Sequence, residues 1–144
     1  MSKQITKKKV YNILGVMSGT SMDGIDLSLI KTNGTNYVRI INEKSYEYSL
    51  TLQNKIKKII KNKPLHNNTI IKYYKQNEEL INTLYIYFIR RFLNEFKINK
   101  ASIDFISLSG QTVYHNPLKK ITIQLGSGKV IANSLKIKTI CDFR

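Results

Sequence analysis

The chain has 144 residues, which is enough for one hydrophobic core, and no shift in composition divides it into two domains. Lys and Arg number 24 against 9 Asp and Glu, so the formal net charge is +15. The basic residues are mostly lysine and are spread over the whole chain, whereas nucleic-acid surfaces more often combine arginine with exposed aromatics. Nucleic-acid binding is therefore disfavoured as the main role, although the basic charge would help to attract an anionic substrate.

The single cysteine, Cys141, excludes an intrachain disulfide and favours a reducing compartment. No cluster of Cys and His with metal-ligand spacing is present. The basic start, with Lys7, Lys8 and Lys9, is followed by an apolar run too short for a signal peptide or a membrane span. The sequence therefore predicts a cytoplasmic protein that does not enter a membrane.

A glycine-rich segment, Gly15 to Asp26, follows the apolar run Val10 to Leu14, and a second apolar run, Ile25 to Ile30, begins at its end. Two strands around such a connection predict a hairpin. Because glycine has no Cβ, the backbone N–H groups of the turn can converge on an anion such as phosphate.

The polar side chains of this segment support the same interpretation. Hydroxyls from Ser18, Thr20 and Ser21 can donate to phosphate oxygens, and Asp23 and Asp26 supply oxygens suited to Mg²⁺ or its waters. The alternative is a purely structural turn, because these residue types also favour β-turns. The segment contains more of these residues than a simple turn needs, which favours a site for phosphate and a metal ion.

A third strand is predicted from Tyr37 to Tyr48, and Asn33-Gly34 before it is a strong hairpin signal. The first fifty residues therefore predict an antiparallel three-stranded meander. A short amphipathic helix should follow and end before Pro64. Its apolar positions are Leu50, Leu52, Ile56, Ile59 and Ile60.

A long helix is predicted next, because Thr69 to Phe96 contains neither glycine nor proline. One face of this helix is apolar, and the opposite face carries charged residues typical of a solvated surface. The apolar face consists of Ile81, Leu84, Tyr85, Phe88, Ile89, Phe92, Leu93 and Phe96.

The last third predicts further strands. Ile103 to Leu108 is typical of a buried strand, and it leads into a polar segment starting at Ser109, where binding residues are often found. Gly126-Ser127-Gly128 is best explained as a structural turn, and no P-loop sequence exists. The remaining predicted elements are a strand over Ile121 to Leu125, one or two helical turns over Lys129 to Leu135, and a strand over Ile137 to Phe143.

Four motifs in order resemble the anhydro-N-acetylmuramic acid kinases, over essentially the whole chain. They are Gly-Val-Met-Ser-Gly-Thr-Ser-Met-Asp-Gly-Ile-Asp at 15 to 26, Gly-Gln-Thr-Val-Tyr-His at 110 to 115, Ile-Gln-Leu-Gly at 123 to 126, and Asp-Phe-Arg at 142 to 144. The resemblance implies an α/β fold, namely an actin-like ATPase (ribonuclease H-like) lobe. Its mixed sheet would start with the three-stranded antiparallel meander and be flanked by helices.

The resemblance also implies an activity. ATP with Mg²⁺ would phosphorylate 1,6-anhydro-N-acetylmuramic acid while water opens the anhydro ring, giving N-acetylmuramic acid 6-phosphate in cell-wall recycling. Asp23 would contribute to the metal site. The phosphate-binding hairpin would consist of Gly19, Thr20, Ser21, Met22, Asp23, Gly24, Ile25 and Asp26. The residues toward the sugar would be Gln111, Thr112, His115, Asp142 and Arg144. His115 can equally make only a structural hydrogen bond, and Arg144 can simply cap the last strand.

Two departures from the family pattern matter. Ser109 stands where the family has histidine, which puts sugar contact at that corner in question. Family members also continue beyond Asp-Phe-Arg, and both the expected general base and the second lobe lie in that continuation. Residues 1–144 are therefore expected to form a single N-terminal lobe, incomplete and inactive alone, which needs a C-terminal lobe or a homo-oligomer partner. The alternative is a noncatalytic remnant or partner-dependent phosphate-binding module.

Overall fold

A mixed β-sheet lies at the centre of the computed structural model, which describes residues 9–62, 64 and 67–143. Lys7, Lys8 and Arg144 lie outside the described residues. The strands are β1 (Tyr11–Ser18), β2 (Gly24–Thr32), β3 (Val38–Glu47), β4 (Phe105–Asn116), β5 (Ile121–Leu125) and β6 (Thr139–Ile140). The helices are α1 (Leu50–Lys61), α2 (Asn67–Gln76), α3 (Glu78–Glu95) and α4 (Gly128–Leu135), with a 3₁₀ turn at Lys100–Ser102.

The predicted meander is confirmed, since β2 pairs antiparallel with both β1 and β3. The strand order is β3-β2-β1-β4-β5, and β4 runs parallel to β1. The short β6 pairs with β4 near Ile106, at the other end of β4 from the β5 pairing. A mixed sheet with flanking helices is the predicted α/β fold class of an actin-like ATPase lobe.

The hydrophobic core lies between the helices and one face of the sheet. Leu14, Val16 and Leu27 point into it from β1 and β2, and Ile89 and Phe92 of α3 are fully buried. This burial accounts for the apolar stripe of α3, since removing apolar surface from water stabilises the fold by about 25 cal/mol per Å². Within the described part of the chain, no helix is long and apolar enough to cross a membrane.

The prediction of one long helix from Thr69 to Phe96 was wrong, because the chain breaks between α2 and α3 at Asn77. The Asn77 side-chain amide donates to the carbonyl of Tyr73 at 2.9 Å, and its backbone N–H donates to the carbonyl of Tyr74 at 2.9 Å. An asparagine side chain thus competes for helical carbonyls, which ends α2 although no glycine or proline is present.

The strand predicted at Ile103 to Leu108 is also longer than expected, because β4 continues to Asn116. Gly110 has a φ of +73°, and the pairing with β1 shifts there. A β-bulge therefore lets the strand continue where the sequence predicted a loop. The last predicted strand is reduced to Thr139–Ile140.

Candidate functional site

The glycine-rich segment forms a tight turn between β1 and β2. The backbone N–H of Met22 donates to the carbonyl of Gly19 at 3.3 Å, and Met22 adopts a φ of +58°. Thr20 and Ser21 at the tip are exposed. No group among the described residues accepts a hydrogen bond from the N–H of Thr20 or Ser21. Two backbone donors at the tip are therefore available to an anion.

Asp23 follows the tip and is held by its neighbour. The hydroxyl of Ser21 donates to Asp23 Oδ1 at 2.6 Å, and this hydrogen bond lowers the pKa of the Asp23 carboxyl below its ordinary value. The carboxylate therefore stays charged through neutral and mildly acidic pH. Asp26, three residues further along the chain in β2, accepts from the Ser45 hydroxyl at 2.5 Å.

These carboxylates line a hollow of about 480 Å³ together with Gly19, Ser21 and Gln53. Among residues 9–62, 64 and 67–143, no three His, Cys, Asp or Glu side chains lie close enough to hold a metal ion by themselves. Magnesium is usually held by one or two carboxylates plus phosphate oxygens and waters. Asp23 suits a magnesium ion that is also bound by phosphate oxygens and waters. The described residues provide no site that would hold the ion with protein ligands alone.

Gly24 anchors the turn to β3. A Cβ at this position would lie 2.5 Å from the carbonyl oxygen of Tyr46, so only glycine allows the strands to approach this closely. Next to it, the N–H of Tyr48 donates to the carbonyl of Asp23 at 2.7 Å. The backbone from the Asp23 carbonyl onward is therefore held by the neighbouring strand.

A cluster of buried polar side chains lies under the turn. The Ser18 hydroxyl is 2.5 Å from Gln111 Oε1, 3.2 Å from the Gly24 carbonyl and 3.3 Å from the Tyr48 hydroxyl. Ser18 is only 6% exposed and Gln111 only 1%. The prediction that the Ser18 hydroxyl donates to phosphate was wrong, because this hydroxyl is used inside the protein.

Not every residue of the predicted hairpin offers its side chain to a ligand. Ile25 is buried in the core at 1% exposure, and Met22 packs against that core. Their side chains therefore support the turn from the core side.

The residues predicted to lie toward the sugar are dispersed along β4 and beyond. Thr112 accepts from Gln124 at 3.2 Å, and His115 Nδ1 lies 2.9 Å from the Thr122 hydroxyl, so both are bonded to β5. Asp142 follows β6 with a φ of +61° and accepts from Cys141. Arg144 is outside the described residues. Among the members of this set that the structure describes, only Gln111 contacts the turn.

The other face of the sheet carries an open groove of about 730 Å³. Small side chains form its floor, with Gly15, Ser28 and Ser107 paired across three strands. Ser109 and Phe143 also line it. Ser109, where the resemblance described above leads one to expect histidine, thus faces this groove.

Two tyrosines of the buried cluster were missed by sequence reasoning. Tyr48 comes from the end of the meander and Tyr85 from α3. Burial raises the pKa of each hydroxyl above its ordinary value. No motif marks either residue, since both lie in ordinary apolar patterns. The strand pairing of the meander brings Tyr48 to Ser18, and the packing of α3 on the sheet brings Tyr85 there.

Tyr85→Phe is expected to raise the free energy of unfolding by about 1 kcal/mol, because a buried hydroxyl without a partner costs about that much. Its hydroxyl faces Ser18 and Tyr48 but makes no hydrogen bond of normal geometry with any described residue. Urea denaturation followed by circular dichroism measures the change. Tyr48→Phe is the matched control and should lower stability, since its hydroxyl has Ser18 as a partner. Equal effects of the two substitutions would contradict this description of the cluster.

Comparison with known proteins agrees with the motifs. The family model described as anhydro-N-acetylmuramic acid kinase matches residues 11–144. A relative of that name from Pelagibacter ubique is 33% identical over 144 residues, covering 95% of this chain and 36% of the relative. Relatives of the same name from Brucella canis and Zymomonas mobilis are each 32% identical, covering 91% of this chain and 36% and 37% of their own lengths. The chain thus spans just over a third of the length of these relatives. With its glycine-rich turn, its fold and this match together, the chain belongs to the anhydro-N-acetylmuramic acid kinase family.

Proposed function

We propose that this chain supplies the phosphate-binding lobe of an ATP-dependent kinase. The proposed reaction phosphorylates 1,6-anhydro-N-acetylmuramic acid with hydrolytic opening of its ring, giving N-acetylmuramic acid 6-phosphate. The observation that carries the proposal is the turn at Thr20 and Ser21, where two free backbone donors lie beside the charged Asp23. The family membership provides the substrate class.

In this proposal the turn binds and orients the phosphates. The N–H groups of Thr20 and Ser21 donate to phosphate oxygens, while the Ser21 hydroxyl keeps Asp23 aimed at the metal position. Mg²⁺ bound to ATP supplies positive charge that offsets the negative charge of the transferring phosphoryl group. Positioning and electrostatic stabilisation are the main contributions a protein makes to such a transfer.

We assign the sugar side to Thr112, His115, Asp142 and Arg144. Thr112 and His115 lie on the β4–β5 hairpin, and Asp142 follows the strand that pairs with β4. The general base for the attacking water is not among these residues. We propose that it comes from a second lobe, as the greater length of the relatives suggests, and that residues 1–144 alone do not turn over substrate in the cytoplasm.

Asp23→Ala is expected to weaken Mg²⁺-dependent ATP binding by about 30-fold, since charge-assisted contacts contribute about 2 kcal/mol. Isothermal titration calorimetry on the 144-residue chain measures this. Glu79→Ala on α3 is the matched control, because it removes one exposed carboxylate outside the hollow. Unchanged affinity in Asp23→Ala, or no ATP binding by the wild-type chain, would defeat the phosphate-binding assignment.

Turnover is tested separately. The chain is mixed with the part of the Pelagibacter ubique relative that lies beyond the region matched here, and ATP-dependent phosphorylation of anhydro-N-acetylmuramic acid is measured. Turnover only in the mixture supports the kinase proposal. Binding of ATP without turnover in the mixture would favour a noncatalytic phosphate-binding module.

A further inference from the structure

We propose that Gln111 is a positioning residue that fixes the direction of the phosphate-binding turn, and that it does not contact the sugar. This inference rests on one part of the proposed function, namely that the turn binds phosphate. It concerns a side chain whose place in the family motif predicted a substrate contact, but whose polar atoms are all engaged inside the protein.

The backbone of β4 aims Gln111 at the turn. Val16 of β1 lies opposite Leu108, and Ser18 lies opposite Gln111, so two steps along β1 match three along β4. The extra residue is accommodated at Gly110, whose φ of +73° favours glycine. Without this bulge the strict alternation of a strand would place Gln111 on the opposite face from Leu108. The bulge instead places both on the buried side.

Both ends of the Gln111 amide are satisfied there. Its Oε1 accepts from the Ser18 hydroxyl at 2.5 Å, and its Nε2 donates to the Gly19 carbonyl at 3.0 Å and to the Thr112 carbonyl at 3.3 Å. The side chain is 1% exposed. A sugar could reach it only if these bonds broke, and a buried amide without partners is costly.

The bond to Gly19 determines which way the next N–H points. In a planar trans peptide, the carbonyl of one residue and the N–H of the following residue point in opposite directions. Gln111 holds the Gly19 carbonyl toward the interior, where it also accepts from the Met22 N–H. The Thr20 N–H is therefore directed outward, to the side from which phosphate would approach.

The test uses ¹⁵N NMR of the 144-residue chain with pyrophosphate as the probe. In the wild type, the Gln111 side-chain NH₂ should exchange with solvent at least about tenfold more slowly than a free glutamine amide, since each 1.4 kcal/mol of protection is a factor of ten. Gln111→Met keeps the length of the side chain and removes its amide. It should speed exchange of the Met22 amide by about tenfold and weaken the pyrophosphate-induced shift of the Thr20 amide by a similar factor. Tyr85→Phe is the control in the same cluster and should leave both readouts at the wild-type values.

Several results would overturn the proposal. They are a Gln111 amide that exchanges at the free rate in the wild type, a folded Gln111→Met variant with unchanged Met22 exchange, and equal effects of Gln111→Met and Tyr85→Phe. The first needs no variant, so it decides the matter even if Gln111→Met does not fold. Absence of any pyrophosphate shift in the wild type would count against phosphate binding alone, while the exchange rates of Gln111 and Met22 would still decide the positioning role.

Discussion

Phe92→Ala is expected to lower the free energy of unfolding by about 3–5 kcal/mol, the usual range for truncating a fully buried aromatic side chain. Phe92 lies on the buried face of α3 with 0% exposure, and its ring centroid is 4.8 Å from that of Phe96. Truncation would remove its contacts and leave a cavity in the core between α3 and the sheet. Such a loss is a large part of the stability of a domain this size. Urea denaturation monitored by circular dichroism gives the value.

The control for this substitution is Leu118→Ala on the loop between β4 and β5. Leu118 is 96% exposed, so its truncation should change stability by no more than about 0.5 kcal/mol. A loss below about 1 kcal/mol for Phe92→Ala would mean that α3 does not pack on the sheet as described. That result would also remove the support that places Tyr85 under the phosphate-binding turn.

Gly24→Ala is expected to cost about 2 kcal/mol of stability or more, because the added Cβ overpacks a site bounded by backbone. The clash would be with the carbonyl oxygen of Tyr46 at 2.5 Å, which cannot rotate away as a side chain could. Relief requires β2 and β3 to separate beside Asp23, whose carbonyl accepts from the Tyr48 N–H. ATP binding measured by calorimetry should therefore fall together with stability, since the turn loses its anchor.

Gly15→Ala in the same hairpin is the matched control. Its Cβ would meet only the carbonyl of Ser28, at an ordinary 3.6 Å, so stability should stay within about 0.5 kcal/mol of the wild type. If the two alanine variants were equally stable, the close approach of β2 and β3 at Gly24 would be wrong. If Gly24→Ala lost stability but kept full affinity for ATP, the turn would not depend on its anchor to β3.

The two phosphate-side tests address different parts of one structure. Asp23→Ala removes an exposed carboxylate that accepts from the Ser21 hydroxyl. Gly24→Ala displaces the backbone that carries that group. A loss of binding in both, with a loss of stability only in the second, would separate contact with the phosphate from placement of the turn.

The sequence by itself determined the hairpin, the meander and the helical faces, because each depends on residues close together in the chain. Glycine spacing from Gly15 to Gly24 predicted the turn, and the 3.6-residue repeat through Phe88 and Phe92 predicted the buried face of α3. The sequence did not predict the end of α2 at Asn77, where an asparagine side chain ends a helix without glycine or proline. The bulge at Gly110 was likewise read as the end of a strand.

Only the tertiary structure decided what lies beneath the turn. Ser18 and Gln111 are separated by 93 positions, and Ser18 and Tyr48 by 30. No local pattern links Ser18 to Gln111, because their contact depends on the pairing of β1 with β4 and on the bulge that turns Gln111 inward, whereas Tyr48 reaches Ser18 through the pairing of β1, β2 and β3. A residue type can be predicted to suit a ligand from the sequence, but whether its polar atoms are free for that ligand depends on what the fold packs against them.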